Sequence, residues 1–156
     1  VYRPQNNPLL DMLIYRCRDT IYKAQIDHDD MRGLIRHLKE GDAIWYSPDQ
    51  DFGLKQGVMA PFFGTPATTV TAHRRLLKIS KAVAIPLYFY RHGDIKNPQY
   101  RVLIEPAVDN LPSTDELDDA IRVNKIIENQ LRIAPTQYMW FHRRFKTRPE
   151  GYEKIY

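Results

Sequence analysis

Three groups of residues combine side chains that do chemistry with spacings that chemistry uses. The first is Trp45-Tyr46-Ser47-Pro48-Asp49-Gln50-Asp51-Phe52-Gly53, which carries two carboxylates with one residue between them. Such a pair binds a cation, orients a base, or accepts hydrogen bonds from the hydroxyls and ammonium groups of a polar substrate. A plain surface turn is the alternative. The second is His37-Leu38-Lys39-Glu40-Gly41-Asp42, a His-x4-Asp spacing that would pair a general base with an orienting carboxylate. The third is the stretch from Gln137 to Gly151, in which Tyr138, Trp140, Phe141 and Phe145 interleave with Arg143, Arg144, Lys146 and Arg148. That interleaving suits single-stranded nucleic acid, where bases stack on rings and cations meet phosphates. It suits an anionic lipid surface equally, and it also suits a terminus packed by its rings with the cations in water.

These residues need elements to hold them, and local patterns supply most. Asn7-Pro8 is a helix start, with Leu9, Leu10, Leu13 and Ile14 at helical spacing, so a helix is expected over residues 8–19. A second follows Asp29 or Asp30, carries Met31, Leu34, Ile35 and Leu38 on one face, and stops at Gly41. His37 falls on the opposite face of that helix. Its spacing to Asp42 therefore lacks the strand-end context that such a dyad needs.

Ala43-Ile44-Trp45-Tyr46 reads as a short buried strand ended by Ser47-Pro48, which puts the aspartate pair on the loop 49–57 at its carboxyl end. Thr65-Pro66 reads as the start of a third helix running through Leu76 and Leu77. Residues 82–90 read as the most apolar strand, paired as a hairpin with Tyr100–Ile104. Ser113-Thr114-Asp115-Glu116 resembles a capping box before a helix over 115–133, with Leu117, Ile121, Val123, Ile127 and Leu131 facing mostly inward. Helices alternating with strands imply an α/β layered domain with its functional loops at strand ends.

Composition narrows the class. With 156 residues, 43% of them hydrophobic and 27% charged, one domain is expected and disorder is excluded. No run approaches the ~18 apolar residues of a membrane span. One cysteine, Cys17, leaves no internal disulfide, which points weakly to a reducing compartment. A net charge of +4 predicts an acidic partner without naming it. No RNA-recognition, KH or zinc-ligand signature accompanies the cations, which argues against a nucleic-acid module.

Beyond local chemistry, whole blocks of the chain resemble the late acyltransferases of lipid A biosynthesis. They are Tyr2-Arg3-Pro4-Gln5-Asn6-Asn7-Pro8-Leu9-Leu10, the Trp45–Gly53 block, Pro61-Phe62-Phe63-Gly64 with Ala67-Thr68-Thr69, and the Gln137–Gly151 tail, in family order. Ala84-Ile85-Pro86-Leu87 is similar to an apolar block of the wider lysophospholipid acyltransferase superfamily. The tail is more like the lauroyltransferase branch than the myristoyltransferase branch.

The resemblance implies a helix/sheet/helix domain of the glycerolipid acyltransferase type, of which residues 1–156 would be the C-terminal part. It implies an enzyme at the cytoplasmic face of the bacterial inner membrane. There a lauroyl-like chain moves from acyl-acyl carrier protein to a hydroxyl of a Kdo-bearing lipid A precursor, with anionic lipid as the surrounding surface and no cofactor or metal. The family's catalytic His-x4-Glu or His-x5-Glu motif is expected upstream of Tyr2-Arg3-Pro4, so none of the five histidines here inherits that role. Arg18 matches a family arginine and would hold a lipid A phosphate. Asp49 and Asp51 match an acidic loop that would line the acceptor side. Asp27, His28, Asp29 and Asp30 stand where the family is more basic, a departure that bears on carrier-protein docking.

Overall fold

The computed structural model describes residues 1–156. Two helices open the chain. Helix α1 spans Pro8–Asp19, with the Asn7 side chain accepting from the amides of Leu9 and Leu10 at 3.0 and 3.2 Å. A cap of this kind stabilises a helix by about 1 kcal/mol. Helix α2 spans Met31–Lys39, is capped by Asp30 through the Gly33 amide, and ends where Gly41 takes a left-handed φ of 87°. Both agree with the sequence patterns. Their burial differs, because α2 buries Leu34 against its neighbours while α1 buries no residue.

Next comes a hairpin that local patterns did not suggest. Strands β1 (Gly57–Phe62) and β2 (Thr65–Val70) pair antiparallel, joined through Phe63 and Gly64 at φ 48° and 75°. Two positive φ values define the tight turn that matches strand twist, and Phe63 fills a position usually given to Asn or Asp. Its amide donates to Glu128 Oε1 at 2.7 Å and its ring lies under the Arg132 guanidinium, contacts from outside the hairpin that hold it there. The helix expected from Thr65-Pro66 is therefore strand β2. Helix α3 starts later, at Ala72, and runs to Ser80.

Strands β3 (Leu87–His92) and β4 (Gln99–Ile104) form the second hairpin, as expected, although β3 starts five residues later than the apolar run. Helix α4 spans Glu116–Leu131 and is capped by Asp115, whose carboxylate takes the amides of Leu117 and Asp118. Its inward face differs from the expected one. Val123 and Leu131 are buried, but Leu117 and Ile121 are exposed, and the polar Asp119, Asn124 and Glu128 are inside.

Mixed helices and strands thus hold, while the sheet does not form one layer: the strands make two separate two-stranded antiparallel sheets. The Ala43–Tyr46 run is extended without joining either ladder. The core sits where α4 crosses β1–β2. Phe62, Ala67 and Leu131 are fully enclosed there, with Ile127, Tyr138 and Phe145 around them. Burying Phe62 and Leu131 contributes on the order of 2–3 kcal/mol each. No helix is long and apolar enough to cross a membrane.

Candidate functional site

The end of α1, the segment after it, α2, the extended run 43–47, the loop 50–58, α3 and the segment before α4 surround an open cleft of about 2020 Å³. Seven cations line it against three carboxylates, so its potential is positive. Two of those cations are neutralised: Lys23 pairs with Asp42 at 2.7 Å, and Arg74 with the buried Asp119 at 2.9 Å. Arg3, Arg18, Lys55, Arg75 and Lys78 line the same space with no carboxylate within ion-pair distance. A basic cleft of this kind holds phosphate or carboxylate, and arginine does so bidentately. Arg18 reaches it from the last turn of α1, its guanidinium 5.6 Å from the centre of the Tyr2 ring.

The two aspartates lie elsewhere. Asp51 is 3% exposed and accepts from the Gly53 amide at 2.9 Å, the Thr147 amide at 2.8 Å and the Thr147 hydroxyl at 2.9 Å. Its oxygens are committed to joining the loop to the tail. The Asp49 carbonyl accepts from the Tyr138 hydroxyl at 3.2 Å. Burial, then the Asp49 charge, raises the Tyr138 pKa, so that phenol stays neutral and donates. Neither aspartate lines the cleft with Arg18, although Gln50 and Phe52 of their loop do. The loop position was legible in the sequence; the direction of its side chains was not.

His37 and Asp42 do meet. The chain turns at Gly41 and brings Asp42 Oδ2 to 2.8 Å from His37 Nδ1, at the mouth of the cleft. Asp42 is shared with Lys23; that hydrogen bond first, and the one from His37 second, hold its carboxyl below the usual range. The arrangement closes the C-terminal end of α2, where positive side chains are favoured. With Glu40 these groups bring metal-ligand atoms within 4.8 Å, as Asp27, His28 and Asp29 also do, but both sets are exposed or half-exposed ion pairs.

The tail departs most from its surface reading. Arg144 is 1% exposed, with its guanidinium donating to the Thr68 carbonyl at 2.5 Å, the Thr69 hydroxyl at 3.0 Å and Asn124 Oδ1 at 3.1 Å, over the face of Phe62. Burial lowers its pKa, against the opposing pull of Tyr138 and Asp51. Arg148 donates to the Pro66 carbonyl at 3.2 Å, whereas Arg143 and Lys146 face solvent. No sequence signal separates Arg144 from Arg143. One further polar group was missed: His73, in the first turn of α3, is buried with neither ring nitrogen hydrogen-bonded.

With this geometry in place, likeness to known proteins is informative. The family described as bacterial lipid A biosynthesis acyltransferase matches residues 1–147. The lipid A biosynthesis palmitoleoyltransferase of Escherichia coli K12 is 40% identical over 99% of this chain and 50% of its own length. The lauroyltransferase of the same organism is 40% identical over 100% of this chain and 51% of its own. A lipid A biosynthesis acyltransferase of Haemophilus influenzae is 43% identical over 96% and 48%. The Escherichia coli myristoyltransferase is more distant, at 28% identity. The chain spans about half the length of these relatives. With family blocks in order from Tyr2-Arg3-Pro4 to the His142–Pro149 segment, it belongs to the bacterial lipid A biosynthesis acyltransferases.

Proposed function

We propose that these residues form the C-terminal part of one helix/sheet/helix acyltransferase domain, which moves a lauroyl-like chain from acyl-acyl carrier protein to a hydroxyl of a Kdo-bearing lipid A precursor. The work is done at the cytoplasmic face of the inner membrane, among anionic lipids. The observation carrying this reading, besides the family, is the cleft in which Arg3, Arg18, Lys55, Arg75 and Lys78 lack carboxylate partners. A phosphorylated acceptor satisfies them, because guanidinium and ammonium groups gathered without carboxylate partners bind phosphate by charge-assisted hydrogen bonds.

In this reading a base from the remainder of the protein deprotonates the acceptor hydroxyl. The alkoxide attacks the thioester carbonyl, and hydrogen-bond donors hold the tetrahedral oxyanion until the carrier thiolate leaves. This part of the chain contributes position: Arg18 fixes the acceptor phosphate, and Asp49 and Asp51 hold the loop that carries Gln50 and Phe52 to the cleft wall.

Acyl transfer by the full-length protein, with lauroyl, palmitoleoyl and myristoyl carrier proteins as alternative donors, tests the reading. Arg18→Ala is expected to lower kcat/KM by about 10- to 100-fold, the value of a charged hydrogen bond, with partial recovery in Arg18→Lys. His37→Ala is expected to lose far less than Asp51→Ala, since His37 closes a helix end and Asp51 holds the loop. Unchanged transfer in Arg18→Ala, or complete loss in a folded His37→Ala, overturns the assignment.

A further inference from the structure

The tail is pinned at both ends of a short segment and open in the middle. On one side, Gln137 grips Arg91 of β3 in both directions: its amide nitrogen donates to the Arg91 carbonyl at 2.7 Å, and its oxygen accepts from the Arg91 amide at 2.8 Å. Tyr138 packs on Phe62 and donates to the Asp49 carbonyl. On the other side, Arg144 is buried under Thr68 and Thr147 is bound to Asp51. Between these pins the chain turns at Trp140–His142 and leaves the turn through Arg143 at a left-handed φ of 53°. Met139, Trp140 and Phe141 are all exposed there, Phe141 over 75% of its surface. The Trp140 Nε1 donates to the Pro135 carbonyl at 2.9 Å, so the indole needs no polar partner from outside. Three consecutive large apolar side chains, presented by a segment fixed on both sides, mark a contact surface and not a frayed end.

Beside the turn lies a small cavity of about 230 Å³ lined by Arg143, Lys146, Lys154, Ile155 and Tyr156. Three cations face it and no carboxylate does. The Arg143 guanidinium is 6.0 Å from the centre of the Tyr156 ring. A cavity of this charge holds an anion, and the neighbouring turn offers hydrocarbon. A free phosphate satisfies the cations and leaves Phe141 in water. A ligand that carries both an anionic head and apolar chains satisfies both at once, with rings below the headgroups and long cationic side chains reaching up to them.

We infer that the Met139–Phe141 turn and the cavity of Arg143, Lys146 and Lys154 form one binding site for an anionic phospholipid. The inference rests on the proposed setting among anionic lipids and names the residues that meet them. The site shares no lining residue with the Arg18 cleft, so it holds the surrounding surface and not the acceptor. It also divides the cations of the tail: Arg143 and Lys146 reach lipid, whereas Arg144 and Arg148 are spent on carbonyls of β2.

The test uses the full-length protein in a background with no other cysteine and Cys17→Ser, carrying an environment-sensitive dye on Met139→Cys. Ile95→Cys, at a position 82% exposed in the β3–β4 turn, is the control. In phosphatidylglycerol vesicles with brominated chains, the dye is expected to shift to the blue and be quenched at position 139 and to do neither at 95. Phosphatidylcholine vesicles are expected to quench it far less. Arg143→Gln, Lys146→Gln and Lys154→Gln together are expected to weaken insertion about 100-fold, each cation near an anionic surface being worth about 5-fold. Phe141→Ser, which keeps the charges, is expected to weaken it about 10-fold. All four positions are exposed, so the variants fold. Equal quenching in the two lipids, or none at 139 in a protein that sediments with the vesicles, overturns the inference and spares the proposed setting; a protein that does not sediment rejects both. Displacement by inorganic phosphate or by polyuridylate at fixed ionic strength overturns it in favour of a free anion or a nucleic acid. Because quenching needs no turnover, insertion at 139 in a protein that transfers no acyl chain rejects the proposed function alone.

Discussion

The two hairpins of this chain have opposite surroundings. Both are antiparallel pairs of six-residue strands. Strands β1–β2 lie beneath α4 and the tail, with Phe62, Ala67, Thr68 and Thr69 fully enclosed. Strands β3–β4 bury no residue, and Phe89, Val102 and Ile104 stand in the open. The enclosed hairpin buries polar Thr68 and Thr69 beside Phe62 and Ala67, and the open one leaves apolar side chains exposed. Pattern alone therefore says which strand has a hydrophobic side. It does not say whether the chain at hand covers it.

The sharpest way to break the contrast is to open the enclosed side. Arg144→Ala removes three hydrogen bonds from a buried guanidinium and takes the side-chain donor from the buried Thr68 carbonyl. A loss of about 3–4 kcal/mol is expected in urea unfolding, the range for breaking a buried charged network. Arg143→Ala, one residue away and exposed, should stay within about 0.5 kcal/mol and serves as its control. An equal effect at both positions removes the case for a buried staple.

Asp51→Ala comes next. It frees the Thr147 amide and hydroxyl and the Gly53 amide, at a cost of about 2–3 kcal/mol, and should detach the tail. Faster trypsin cleavage after Lys146, with cleavage in β4 unchanged, is the expected readout. A tail that remains protected means that Tyr138 and Phe145 anchor it without the aspartate.

A smaller effect is expected with pH. His73 is buried against Tyr46, with Asp119, Arg74 and Glu116 as the charged groups around it, and burial lowers its pKa despite the pull of Asp119. The same burial raises the Tyr46 hydroxyl to about 12. A histidine with a depressed folded pKa is neutral in the folded state, and the unfolded chain binds its proton first as pH falls through about 6.5. Stability contributed by neutral His73 is therefore present above that pH and lost below it. His73→Phe should flatten the fall of the unfolding midpoint between about pH 6.5 and 5; an unaltered slope assigns the acid sensitivity to another group.

The smallest effect belongs to the open side. Ile85→Ser and Val102→Ser, both in exposed positions, are expected to change the stability of the 156-residue chain by less than about 0.5 kcal/mol. A larger loss in either variant means that the face is already covered, and the contrast between the hairpins disappears.

Much of the fold was legible where a local rule acts alone. Asn7-Pro8 and Asp30 start helices because a side-chain oxygen meets free amides within the next turn, and Gly41 ends one because only glycine takes its φ without strain. The β3–β4 pairing followed from two apolar runs at hairpin distance. Thr65-Pro66 was misread because the Phe63-Gly64 turn depends on Glu128 and Arg132, which are far along the chain. For the site, the sequence placed Arg18 at a helix end and Asp49 and Asp51 on a loop; it could not show which of them shares a cleft.

What the sequence determined by itself is therefore the family, the starts of α1 and α2, the β3–β4 pairing and the excess of cations. Tertiary structure alone decided which cation is buried, which carboxylate is committed and which apolar face is left open. Arg143 and Arg144 carry the same charge one bond apart. One lies in water and the other beneath Thr68, because burial is a property of what the rest of the chain brings alongside.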